Sequence, residues 1–158
     1  MATYTRTTAV RRLTGAPYGD TLAIPFRFAT TAAGVPVGTD ATVALVATDV
    51  VRLGIIPAGT RLLDHVAVIS DAFTASATYS MGFAYVDGTD STEVPQDAAY
   101  FTAASTSLAS VAVQRKATTT APVTLPKDAW LTMTHAGATH SSVGIIDVTV
   151  IGQAVGVN

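Results

Sequence analysis

The chain has 158 residues, 49% of them hydrophobic and 13% charged, with a formal net charge of −2 and no cysteine. That length suits one domain with a core of its own, and the lack of cysteine excludes disulfides and thiolate metal sites. A mildly acidic chain is also a poor match for the strongly basic surfaces that grip nucleic-acid phosphates, so nucleic acid is not an expected partner. No apolar run reaches the roughly 18 residues a membrane-spanning helix needs, and no membrane partner is expected. The start, MATYTRTTAVRRL, lacks the apolar segment of a secretory signal, which points to synthesis in the cytoplasm. Charged residues are about half as frequent as the roughly 25% usual in soluble domains, so part of the surface is expected to be covered by partners. Glu93 is the only glutamate, and Lys116 and Lys127 are the only lysines. Exposed helices draw heavily on both residue types, and their scarcity beside so much Thr and Val indicates an all-β protein.

Residues 1–20 carry Arg6, Arg11 and Arg12 among Thr and Ala with no apolar periodicity. They read as an extended N-terminal arm with a short strand at 4–8, followed by a single domain over 21–158. Arginines in such an arm can form bidentate pairs with a neighbour's carboxylates, which makes these three the candidate partner-binding residues. Residues 21–28 put Leu22, Ile24, Phe26 and Phe28 on one face, interrupted by Pro25. Proline has no N–H for a ladder bond, so this is an edge or bulged strand. A turn-rich piece at 32–39 leads into a strand at 42–48.

The stretch from Val50 to Asp87 holds apolar runs at 50–56, 62–69 and 77–86, separated by Pro57-Ala58-Gly59 and by residues 70–75. The runs are short and β-branched, and read as consecutive antiparallel strands of a β-meander. Residues 96–101 read as a helical turn, 107–114 as a strand and 121–125 as a short strand. At 130–134, Leu131 and Met133 oppose Trp130 and Thr132 across a further strand. Residues 135–142 read as a hairpin connection. The closing strand at 143–155 sets Ile145, Asp147, Thr149 and Ile151 against Ile146, Val148 and Val150. This strand count fits an antiparallel β-sandwich, jelly-roll-like in plan. Residues 56–62 and 125–131 echo each other, each a Pro-started turn feeding a strand, as matched hairpins in the two sheets of a jelly roll would.

Chemistry-bearing residues are sparse. Asp87, Asp90 and Glu93 share one polar loop, and hard cations such as calcium take carboxylate oxygens. Their D-x-x-D-x-x-E spacing lacks the EF-hand pattern, however, and Asp-Gly is a common turn dipeptide, so a plain turn is preferred. His135 and His140 lie five apart in THAGATH and are weak zinc candidates. A zinc site needs a third ligand that nothing nearby supplies, so they read as polar residues of a surface loop. His65, amid apolar neighbours, reads as a core-edge or interface residue. No nucleophile elbow and no phosphate-binding loop is present, so neither an enzyme nor a cofactor is expected. Trp130 and the tyrosines could stack on sugar rings if several shared an exposed face.

The strings VRLGIIPAGTRLLDHVAVISDA, TYSMGFAYVDG, DAAYFTAAS and WLTMTHAG followed by VGIIDVTVIGQ together resemble small β-rich virion proteins of tailed bacteriophage, in particular capsid decoration (cement) proteins. That resemblance covers most of residues 50–152. It implies a β-sandwich on the outer capsid surface, commonly trimeric, that binds the major capsid protein and has no active site. A head fibre, a receptor- or glycan-binding module, and a tail or baseplate component are the alternatives within the same particle.

Overall fold

The computed structural model describes residues 1–5 and 21–155, and the described residues form ten strands and no helix. These are β1 (Thr3–Thr5), β2 (Thr21–Thr30), β3 (Val50–Ile56), β4 (Thr60–Asp71), β5 (Ala77–Tyr85), β6 (Asp97–Ser107), β7 (Ala112–Arg115), β8 (Val123–Thr124), β9 (Ala129–Gly137) and β10 (Gly144–Ala154). The first sheet has the order β1-β3-β9-β5-β6 and the second the order β2-β10-β4-β7, with β8 paired to β4. Pairing is antiparallel apart from the short parallel contact of β1 with β3. The all-β, two-sheet reading of the sequence holds.

Alternation decides which residues enter the core. On β10, Ile146, Val148 and Val150 are buried while Ile145, Asp147, Thr149 and Ile151 are partly exposed, the two faces read from the sequence. On β2, Ile24, Phe26 and Phe28 point inward and Pro25 outward. This strand lies at the sheet edge, where a residue without an N–H leaves no ladder bond unmade. The first sheet answers with Val51, Leu53 and Ile56 of β3, Leu131 and Met133 of β9, and Tyr79, Met81, Phe83 and Tyr85 of β5. All belong to one buried cluster between the sheets. Its tyrosines also tie loops and strands together. Tyr79 donates its hydroxyl to Gln114 of β7, on the opposite sheet. Tyr100 donates to the Ala121 carbonyl at 3.0 Å and accepts from the Val123 amide at 3.3 Å.

Several expectations fail for identifiable reasons. The runs from Val50 to Asp87 are strands, but not a meander: β3 and β5 lie in the first sheet with β9 between them, and β4 lies in the second. Hydrophobic pattern marks a strand without saying which sheet it joins. No strand forms at 42–48, where only Leu45 among the apolar residues is buried and the valines face outward. The expected helical turn at 96–101 is the start of β6. Register shifts in the β5–β6 pairing compress the chain there, so Tyr100, Phe101 and Thr102 are buried in succession and the period of two is lost. Residues 107–114 are not one strand, since β6 ends at Ser107 and β7 begins at Ala112. The segment 135–142 is no hairpin connection either: His135 to Gly137 belong to β9, and the residues after them cross to the other sheet.

The two echoing turns are likewise sheet-to-sheet crossings rather than hairpins. They pack on each other through Gly59 N to Leu125 O (2.8 Å), Leu125 N to Thr60 O (3.0 Å) and Ala58 N to Asp128 Oδ1 (2.9 Å).

A core truncation should therefore be expensive and an outward one cheap. Leu131→Ala is expected to lose about 2–5 kcal/mol in urea denaturation, whereas Val113→Ala should stay within about 0.5 kcal/mol of the parent.

Candidate functional site

The two ends of the sandwich differ in character. At one end the connections 31–49, 72–76, 108–111 and 138–143 converge. They contain no lysine or arginine, and Asp40 and Asp49 are their only carboxylates. Val37, Val43, Val46, Val111 and Val143 stand exposed on them. At the other end, residues 86–96 and 116–128 carry Asp87, Asp90, Glu93, Lys116, Lys127 and Asp128.

The apolar end is held by buried polar groups. The Nε2 of His135 lies 2.8 Å from the Ala138 carbonyl, and its Nδ1 lies 3.1 Å from Nε2 of His140. A carbonyl only accepts, so His135 carries its proton on Nε2 and leaves Nδ1 as an acceptor. His140 then donates from Nε2, and its own Nδ1 is left buried without a partner. Both rings are buried, which corrects the expectation of two surface-loop residues. A mutual hydrogen bond supplies what apolar surroundings lack, and spacing alone cannot reveal it.

Burial and the neighbouring His135 push the His140 pKa down to about 4. Burial also lowers that of His135, against the pull of the Ala138 carbonyl and the Asp49 carboxylate. Asp49 is buried as well. It accepts from Ala2 N at 2.8 Å and Val46 N at 3.1 Å, while its carbonyl takes the His135 amide at 2.8 Å.

Packing finishes the lock. His140 meets the ring of Phe73 edge-on at 5.2 Å, and Phe73 stacks on Phe28 at 5.8 Å. Gly34, at φ +76, passes so near that a β-carbon there would lie 2.1 Å from the His140 carbonyl oxygen. Thr48 and Ser76 in the same loops also hold positive φ, at 77° and 67°. These loops form a fixed surface.

At the charged end, Lys127 Nζ binds Asp87 Oδ2 at 2.9 Å and lies 5.3 Å from the Tyr85 ring centroid. Asp90 Oδ1 accepts from the Ser91 and Gln96 amides at 2.8 Å each, which closes the loop, and Glu93 is exposed. These carboxylates serve as turn caps and an ion pair. The structure places them beyond Tyr85, and His135 pairs with Tyr79 on the same strand about 20 Å away, so the two weak metal candidates do not converge. Among the described residues no three His, Asp or Glu side chains are grouped to hold a metal ion.

Arg6, Arg11 and Arg12 lie outside the described residues. His65 reaches the core because a register shift beside Leu62 turns it inward, where it faces Phe101 at 5.3 Å and bonds Thr102 at 3.0 Å. Of the aromatic residues that could have lined a sugar groove, Tyr79, Tyr85 and Tyr100 are in the core, and Trp130 lies half-buried beside Arg52 on the opposite face of its sheet. Sequence reasoning missed the exposed valines of the apolar end. The signal was there in the absence of lysine and arginine from 31–49.

No protein-family model matches the chain, and no curated protein does. A chain of the capsid of Ralstonia phage GP4 is similar in structure, with a TM-score of 0.63 and 16% identity over 93% of both chains. A chain of the Cyanophage Pam1 capsid asymmetric unit is similar at a TM-score of 0.57 and 17% identity, over 92% of this chain and 94% of that one. At such identities the likeness is one of fold.

Two outcomes follow. In the unfolded chain histidine takes a proton near pH 6.5, whereas His140 and the buried His65 do so only at about 4 in the fold. Between those values the unfolded state binds more protons, so stability falls as pH falls, by at most about 3 kcal/mol for each ring. Urea titrations at about pH 7 and about pH 4.5 should show the loss, and His65→Gln should reduce it. Gly34→Ala should cost roughly 2 kcal/mol or more, since both its φ and the His140 carbonyl oppose a β-carbon.

Proposed function

We propose that this protein is a non-enzymatic structural component of a phage virion, which decorates the capsid surface and stabilises it by binding the major capsid protein. The observation that carries the reading is the likeness of fold to two phage capsid chains over more than nine-tenths of each partner. The strand orders support it. β2-β10-β4-β7 faces β3-β9-β5-β6, and successive strands mostly alternate between sheets, which we read as a jelly roll of two Greek keys. Residues 1–20 are its arm and residues 21–158 its domain, and copies associate as a homo-oligomer. A decoration protein needs contact surfaces instead of a cleft, and the loop end, poor in charge and held by buried hydrogen bonds, is one. Binding only to the assembled shell shifts the assembly equilibrium towards it.

The test is co-sedimentation of the purified protein with shells of the phage that encodes it. The full chain should sediment with the shells, and deletion of residues 1–12 should weaken binding at least several-fold. Equal binding by the truncated chain would remove the arm from the reading. No binding by the full chain, with saturable binding to host surface glycans, would favour the head-fibre alternative.

A further inference from the structure

The outward face of the second sheet carries apolar side chains set among charges that pair with one another. In a sandwich strand one face packs on the core and the other normally alternates polar residues towards water. On β4 and β10 the outward positions include Val66, Val68, Ile145 and Ile151 beside Asp64, Ser70, Asp147 and Thr149, and Val113 of β7 stands beside Val68 in register. Val68 is 38% exposed and Val113 68%. The central charges of this face are already neutralised within it, Arg27 by Asp147 and Arg115 by Asp64. A partner with unpaired charge would find nothing to match there.

Two charges remain, at opposite ends of β4. Arg61 and Asp71 are both exposed, and neither has an ion-pair partner among the described residues. Arg61 registers with Gln153 and Asp71 with Ile145, both outward positions of β10, so both charges rim the same face. A two-fold axis lying in the face and perpendicular to β4 exchanges the two ends of that strand. It sets Arg61 of each copy against Asp71 of the other, and the valine centre against itself. Aligned sheets cross at about 30°, an offset that the long arginine side chain spans. The face is four strands wide at ~4.8 Å spacing and about nine residues long at ~3.3 Å, so a pair would bury roughly 1,100 Å², near the lower bound for a specific interface.

We infer that the outer face of the second sheet is a self-association surface, on which two copies pack antiparallel with Arg61 of each meeting Asp71 of the other. An isologous contact of this kind builds a dimer, in contrast to the trimer implied by the family resemblance. It rests on the chain alone, so its failure leaves the virion reading untouched.

Sedimentation velocity on the full chain from about 1 to 100 μM tests it. The parent should show a concentration-dependent monomer–dimer equilibrium. Arg61→Asp and Asp71→Arg should each weaken association at least tenfold, by setting like charges together. An equimolar mixture of those two variants should restore the dimer, as should both changes in one chain. Val68→Asp with Val113→Asp should also abolish it, while Val43→Asp, at the loop end and 59% exposed, should not. Both valines are exposed, and matching thermal midpoints would show that the fold is kept. In the parent, methyl resonances of Val68 and Val113 should shift with concentration. A monomer at all concentrations, a trimer, or a dimer indifferent to the charge exchange would overturn the proposal.

Discussion

The inward stripe of β5, running Tyr79, Met81, Phe83 and Tyr85, is the constraint on which the rest of the structure depends. β5 sits between β9 and β6 in the first sheet, and its side chains fill the space against the second. With no cysteine to cross-link the chain, the sheets are held by this buried layer and by connections that pass from one sheet to the other. Each large side chain so buried contributes about 1.5–3 kcal/mol, and the tyrosines add hydrogen bonds that fix the loops over them. The sheet-to-sheet crossings explain why the ends of the sandwich are distinctive, since each end gathers several loops into one surface.

Most strands with a regular apolar pattern were legible in the sequence, and their partners were not. Residues 50–56 are bounded as their apolar run predicts, and the two faces of β10 follow from simple alternation. What the local pattern could not carry was the route of the chain between sheets, because an inward valine looks the same on either one. Bulges hid more. The irregular β5–β6 pairing buries three consecutive residues, which imitates helical spacing, and the shift beside Leu62 is what brings His65 inward. His135 and His140 were visible as residues but not as a pair, because their burial depends on a hydrogen bond between side chains that meet only when β9 and the following crossing are both in place.

The catalytic motifs that would anchor an enzymatic reading are missing from the sequence, and the carboxylates of 87–93 act as caps and an ion pair. Charge is distributed instead to leave one end without lysine or arginine in its loops and to pair the central charges of one sheet face within it. Those features answer the compositional puzzle of a chain with half the usual charge, since both are surfaces whose apolar area is better covered than exposed to water.

The most direct test of the virion reading proposed above is a cryo-EM reconstruction of phage particles that carry this chain. The account predicts copies of this two-sheet fold seated on the outside of the shell in contact with the major capsid protein. Purified particles that lack the protein, or that carry it only on the tail, would contradict it.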